Sequence, residues 1–353
     1  MMDWCISKIE EYRCQLMYWG KSIVRAFVAR VCYWVGLTEI FYWLNKKAKR
    51  IITFHNVLPD DIIGKLPKVG CMDSQSDFLT IIDEVAKRFG FSTNLSDAKT
   101  ATITFDDGML NQYEVAGVLL HDRGIPAILF VAGDAIDSSA ENSLITDRLL
   151  IWNAFAPDSA VKTVFGEVLP RGELWVKRVQ PKYREDWKNR GKEFLRTLEE
   201  TYPIEKILDQ LPSEWVRLRL CGVRREQLEE LRRWGWKIGW HTKTHFPLGM
   251  LDRGAKLEEL MSPEALRKEP LGYPYGDIES IGTESLNMAA QLGYPYAVSN
   301  DPDFSEHRGR YFMLRLALPP NRYELHFVLS GLKYFLKFWK LMPVAMHNEA
   351  CED

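Results

Sequence analysis

Short runs of apolar, mostly β-branched or aromatic residues recur along this chain, and nearly all of them stop at a polar residue or a turn. They are IITFHNV (51–57), ATITF (101–105), PAILFVA (126–132), WKIGW (236–240), LGYPYG (271–276), PYAVSN (295–300) and YFMLRLAL (311–318). Helical patterns separate many of them. Phe78, Ile81, Ile82, Val85 and Phe89 form a stripe stopped by Gly90, and Asn111 to Asp122 reads as a helix with Gly124 at its C-cap. Glu226 to Trp234 and Glu284 to Leu292 read as further helices. Strands that are apolar throughout and separated by helices predict a parallel sheet covered on both faces. Six or seven such β/α units around one interruption fit a closed barrel better than an open sheet.

The interruption spans 138–222 and carries Trp152, Trp175, Trp187 and Trp215 among charged helical stretches such as Tyr183–Tyr202. It reads as a mostly helical insertion on the loop side of the sheet, either a cap that contacts substrate or a packing or partner-binding subdomain. Residues 1–50 read as an amphipathic helical segment. Trp19, Ile23, Phe27, Arg30, Val31 and Trp34 fall near helical spacing, and Lys46, Lys47, Lys49 and Arg50 close the segment. Such a helix either packs on the following domain or lies on an anionic membrane surface. Charges break every apolar run well short of the roughly 18 residues needed to span a bilayer. No apolar stretch is followed by a small-residue cleavage site, so neither a transmembrane helix nor a secretory signal is expected. Residues 323–353 read as a closing amphipathic helix, Leu325 to Met342, and a tail.

A length of 353 residues accommodates one large domain with an insertion, and a net charge of -2 gives no electrostatic signature for nucleic acid. The six cysteines form no CxxC pair, which excludes a cysteine zinc site and fits a reducing, cytoplasmic setting, peripheral on the membrane at most.

Chemistry concentrates at the ends of the apolar runs. TFDDG (104–108) places two adjacent carboxylates where a buried strand ends and a glycine turns the chain. Consecutive side chains diverge there, so Asp106 and Asp107 can take different tasks. HTKTH (241–245) follows another buried strand. Histidines four apart share one face if the chain turns helically, and with a carboxylate they make a three-ligand set that leaves positions open for water and substrate. That set suits Zn²⁺ first, with Co²⁺, Ni²⁺ or Mn²⁺ also admissible. GYPYG (272–276) makes a rigid rim at a third strand end.

TFDDG, HTKTH and YPYG, in this order, resemble the polysaccharide deacetylase family, also called the NodB-homology or carbohydrate esterase family four. The likeness covers about 51–320 apart from most of the insertion. It implies a distorted (β/α)7-type barrel over 51–322, a divalent metal, and hydrolysis of an N-acetyl or O-acetyl group on a carbohydrate. By that resemblance Asp106 is the general base, and Asp107, His241 and His245 hold the metal. The Tyr275 N–H helps to hold the oxyanion, with Tyr273, Pro274 and Tyr275 near the sugar. The family's usual arginine two positions before the proline is replaced by Gly272, and Arg315 on a later strand is the candidate substitute. Asp301-Pro302-Asp303-Phe304 is only a faint counterpart of the family's DxxDW-like motif and takes no role. His326 lies in an apolar stripe and reads as packing. FHNV (54–57) resembles the N-terminal histidine strand of circularly permuted members, which makes His55 the general acid. The alternatives are a deformylase or other deacylase of a lipid-linked sugar, and an inactive carbohydrate-binding member, the latter motivated by Gly272.

Overall fold

The computed structural model describes residues 23–66, 69–166, 193–301 and 309–338. Within them the strands are β1 (Arg50–Phe54), β2 (Asn56–Leu58), β3 (Met72–Ser74), β4 (Gly90–Phe91), β5 (Thr100–Phe105), β6 (Ala127–Val131), β7 (Lys237–Trp240), β8 (Leu271–Gly272), β9 (Ala297–Ser299) and β10 (Met313–Leu316). Seven of these close into a parallel barrel in the order β1, β5, β6, β7, β8, β9, β10. Closure runs through β1, which pairs with β5 along its whole length (Arg50 opposite Ala101, Phe54 opposite Phe105) and with β10 on its other edge (Ile51 opposite Arg315). The short β4 adds to the start of β5. The barrel is α/β with seven β/α units, as the alternation predicts.

The interior is packed rather than open, as closed parallel barrels are. Ile51, Ile128, Phe130, Val298 and Met313, from four of the strands, cluster there with Leu95. The helix Gln75–Ala86 shows how the sequence sets an outer layer. Ser74 caps it by accepting from the Asp77 N–H at 3.1 Å, and Phe78, Ile81, Ile82 and Val85 are its buried stripe.

Three sequence readings need correction. The run 51–57 is not one strand: β1 stops at Phe54, and β2 leaves the barrel to pair with β3. His55 stands at the break. The helix read over Asn111 to Asp122 begins as a wide π-turn, Gln112–Gly117, and becomes α-helical only at Val118–His121. Side-chain bonds anchor its start: Gln112 Oε1 accepts from Gly108 and Met109 N–H at 3.1 and 3.0 Å, and its Nε2 donates to the carbonyls of His55 (2.7 Å) and Asp106. The run at 271–276 is, as read, a strand end followed by a turn, with the strand covering Leu271–Gly272. The helix expected over Leu325 to Met342 is two, Arg322–Leu329 and Leu332–Phe338, because Gly331 sits at φ 88° between them.

The insertion is helical where it is described: Ile145–Phe155, Asp158–Phe165, 193–201, Ile204–Leu208 and Ser213–Leu220. Trp175, Trp187 and much of Tyr183–Tyr202 lie outside the described residues. The described parts of Met1–Ala48 and Leu318–Val344 form a separate compact unit, so the two ends that read as independent segments share one core. Ala29, Cys32, Phe41, Phe327 and Leu332 make that core. Trp19, part of the N-terminal stripe, lies outside the described residues, but the rest of the stripe faces out: Ile23 is 63% exposed, Phe27 66% and Trp34 71%. No helix among the described residues is long and apolar enough to cross a membrane.

Two strand glycines are sterically required. A Cβ at Gly239 in β7 would lie 2.6 Å from both Phe130 Cδ1 and the Pro270 carbonyl oxygen. A Cβ at Gly272 in β8 would lie 2.8 Å from Phe130 Cγ and 3.1 Å from His241 Nδ1. Gly239→Ala and Gly272→Ala should each destabilise by about 1–3 kcal/mol through overpacking. Chemical denaturation followed by tryptophan fluorescence checks this, and an unmoved midpoint would show that the barrel interior gives way at no cost.

Candidate metal and acid–base centre

Every sequence-predicted site residue except one lies at or just past a strand end at the same mouth of the barrel. His55 follows β1, Asp106 and Asp107 follow β5, His241 follows β7, and Tyr275 lies three residues beyond β8. Arg315 is the exception: it lies within β10 and is 2% exposed.

Asp107, His241 and His245 offer ligand atoms that lie within 4.8 Å of one another. His245 Nε2 is 3.2 Å and His241 Nε2 3.6 Å from Asp107 Oδ1. That oxygen is buried and makes no hydrogen bond, although two imidazole nitrogens lie within 3.6 Å of it. His241 Nδ1 contacts the Gly272 carbonyl at 2.7 Å. A carbonyl can only accept, so Nδ1 carries the proton and Nε2 turns its lone pair toward Asp107. His245 Nδ1 is held by the Thr146 hydroxyl at 3.3 Å. The His241 lone pair, the His245 Nε2 and an unsatisfied carboxylate oxygen lie close enough together to serve one divalent cation. Burial keeps both imidazoles neutral, lowering His245 and pushing His241 down to about 3. Burial also raises Asp107, to about 7, against the opposing charge of His55.

The histidines do not meet through the helical turn that their spacing suggests. Residues 241–247 form a loop, with Thr242 at φ 65° and His245 at φ 60°. Outside partners take the groups that a helix would use internally. The Thr242 and Lys243 carbonyls accept from Gly133 and Asp134 N–H at 2.9 and 2.7 Å. The Glu259 carboxylate accepts from the Thr244 N–H at 2.8 Å and from its hydroxyl at 2.6 Å.

Asp106 is 1% exposed and surrounded by cationic or ionisable groups. Arg315 grips it with two bonds, Nη1 to Oδ1 at 2.6 Å and Nη2 to Oδ2 at 2.7 Å. Arg315 Nε donates to Asn300 Oδ1 at 3.0 Å, which fixes the plane of the fork. His55 Nε2 lies 3.6 Å from Asp106 Oδ2. Burial alone would raise the Asp106 pKa, but the charge of Arg315 and its hydrogen bonds outweigh it and hold the carboxyl well below the usual range. Arg315 therefore stands where the sequence reading placed a substitute for the arginine missing at Gly272.

A cavity of about 140 Å³ adjoins this centre; Asp106, Arg315 and His241 are not among its lining residues. His55, Asp107, His245 and Tyr275 line it, and the Tyr275 ring packs on His245 with centroids 5.1 Å apart. Tyr273, grouped with the substrate contacts in the sequence reading, is fully buried, and neither it nor the buried Pro274 lines this cavity. Two residues apart, 273 and 275 would share a face had β8 continued; the strand ends at Gly272 and the chain turns at Tyr275 with φ 61°, so only Tyr275 reaches the cavity. The lining residues that sequence reasoning missed include Asn300, Thr146, Asp147 and Arg219. Asn300 ends the PYAVSN run and had the same strand-end signal as His241. The other three sit in insertion helices whose polar positions look like any solvated face.

No family model matches this chain, and no curated protein matches it. Among solved structures it is similar to the Streptococcus pyogenes deacetylase PplD in complex with acetate, at 13% identity and TM-score 0.48, over 80% of this chain and 98% of that one. It is also similar to IcaB from Ammonifex degensii, at 14% identity and TM-score 0.43, over 80% and 97%. A third is a polysaccharide deacetylase from Bacillus cereus, at 14% identity and TM-score 0.43, over 80% and 68%. At identities and scores this low, the site has to be read from its own residues.

Asp107→Asn, His241→Ala and His245→Ala should each abolish stoichiometric zinc binding, measured by elemental analysis after dialysis. Thr146→Val should weaken it about tenfold by freeing His245 Nδ1. Full zinc occupancy in His241→Ala would remove His241 from the ligand set.

Proposed function

We propose that this chain is a metal-dependent hydrolase of the polysaccharide deacetylase type, removing an acetyl group from the nitrogen, or less favoured the oxygen, of an amino sugar. The observation that carries the reading is the side-by-side arrangement of two units with separate tasks. One is the Asp107, His241 and His245 cluster. The other is an ionised Asp106 clamped by Arg315 beside His55. The motifs that resemble the deacetylase family supply the substrate class.

A divalent cation held by Asp107, His241 and His245 supplies Lewis acidity toward an amide carbonyl, which is otherwise a poor electrophile. Zn²⁺ suits the donor set of one carboxylate and two imidazoles best. Asp106 takes a proton from the attacking water. Its pairing with Arg315 keeps it ionised and aligned, at some cost in basicity. The Tyr275 N–H contributes to holding the carbonyl oxygen as charge develops on it. His55, on the open side of Asp106 and 26% exposed in its side chain, donates a proton to the departing amine, because an amide anion cannot leave unprotonated. Acetate and a free amino sugar are the products.

The inactive carbohydrate-binding alternative was motivated by the arginine missing at 272, and the Arg315 clamp on Asp106 removes that motive. A second reading, a deacylase of a lipid-linked sugar that works at a membrane surface, draws on the exposed stripe Ile23, Phe27 and Trp34, with Trp43 also exposed beside Lys46 and Lys47. Co-sedimentation with anionic vesicles, lost in Phe27→Ser with Trp34→Ser, supports it. No binding to anionic vesicles overturns it.

Asp106→Asn should lower turnover on N-acetylglucosamine oligomers by about 10²–10⁴-fold with metal retained. Amine release and elemental analysis read this together, and unchanged turnover would sink the base assignment. Arg315→Met removes the charge that most lowers the Asp106 pKa and leaves burial only weakly opposed. The Asp106 pKa then rises, its ionised form is lost at a higher pH on acidification, and the acid limb of the kcat/KM profile moves up. A limb that stays in place, or moves down, contradicts the clamp.

A further inference from the structure

Deepening the hydrolase reading and resting on it for the position of the reacting group, we propose that Arg219 and Asp147 form a second anchor in the same cavity. This anchor selects a sugar that carries an anionic oxygen, a carboxylate or a phosphate, near its acylated position. The two residues come from separate helices of the insertion, Ser213–Leu220 and Ile145–Phe155. Arg219 Nη2 donates to Asp147 Oδ1 at 2.8 Å, with the side chains 2% and 7% exposed. Both line the cavity, as do Leu149 and Leu150. Thr146, next to Asp147 in the same helical turn, is the residue that touches His245. One turn of helix therefore ties this anchor to the metal cluster.

The pair is unbalanced. Arg219 Nε and Nη1 are buried and have no hydrogen-bond acceptor among the described residues. A guanidinium has five N–H groups, and leaving buried donors unsatisfied is unfavourable. Asp147 meets only one of its three nitrogens, and the other acid on the cavity wall, Asp107, faces His241 and His245. Gly70, at φ 75°, lies against the guanidinium: a Cβ there would be 3.5 Å from Nη2. The open donors therefore belong to a side chain on the wall of the space a substrate enters. Neutral hydroxyls can accept from them, but an anionic oxygen makes hydrogen bonds about twice as strong to donors that Asp147 leaves unmet. Leu149 and Leu150 supply apolar surface for a sugar face next to that contact. The insertion thereby acts as the specificity element, and the barrel supplies the chemistry.

The test uses the full chain loaded with zinc and three probes: a methyl glycoside of N-acetylglucosamine, its uronate, and its 1-phosphate. Binding is measured by calorimetry apart from turnover, and kcat/KM is measured for each probe. The wild type should favour at least one charged probe over the neutral glycoside by about tenfold or more. The charged probe that is favoured tells a carboxylate source from a phosphate source. Arg219→Gln should bring the ratio close to one, with Arg219→Lys in between. Arg219→Gln leaves Asp147 unpaired, so Asp147→Asn with Arg219→Gln, which keeps a neutral hydrogen-bonded pair, is made alongside and should also lose the preference. Equal affinity of the wild type for all three probes overturns the anchor, as does a preference that survives in the double variant. Hydrolysis without charge preference overturns the anchor alone, whereas charge-selective binding that depends on Arg219 without acetate release overturns only the hydrolysis.

Discussion

The double pairing of β1 is the constraint on which the mouth of the barrel depends. β1 pairs with β5 along one edge and β10 along the other, so residues far apart in the chain become lateral neighbours. His55, Asp106 and Arg315 come from these three strands or their ends, and they meet because the barrel closes there. In an open sheet with β1 free on either edge, Asp106 would lose a neighbour that either shares its proton chemistry or keeps it charged. The early end of β1 matters as much as its pairing. Since β2 turns away to join β3, His55 is released from the ladder and its side chain reaches the cavity.

Steric exclusion decides where the positive charge comes from. Gly272 packs so tightly on Phe130 and His241 that its position admits no side chain, while its carbonyl orients His241. The guanidinium that Asp106 needs arrives instead from two strands further round, with Arg315 lying over the face of Phe130 at 5.7 Å. Phe130 therefore serves both sides of the arrangement, closing one strand to any side chain and supporting the cation from another.

Much of this was legible in the sequence because strand ends are chemically marked. Asp106, Asp107 and His241 each follow an apolar run, and the alternation of strands and helices was sufficient to point to a barrel. The local route to His245 was not legible. Spacing suggested a helical turn, whereas bonds from Gly133, Asp134 and Glu259 hold an irregular loop, and those partners are remote in sequence. Tyr273 was misread because β8 ends at Gly272 and the left-handed turn at Tyr275 parts two rings that a continued strand would have placed on one face. Thr146, Asp147 and Arg219 gave no signal, since a polar residue on an amphipathic helix reads as solvent-facing until the fold shows what it meets.

Four side chains at this mouth hold backbone angles that L-residues avoid: Asp107 at φ 84°, Thr242 at 65°, His245 at 60° and Tyr275 at 61°. Each costs on the order of 1 kcal/mol that the surrounding barrel must offset. The rim thus resembles a sprung clasp held shut by the scaffold, and when heat or mutation slackens that scaffold the loops relax before the strands separate. Function should fade on warming while the barrel still reads as folded, so that thermal inactivation precedes unfolding.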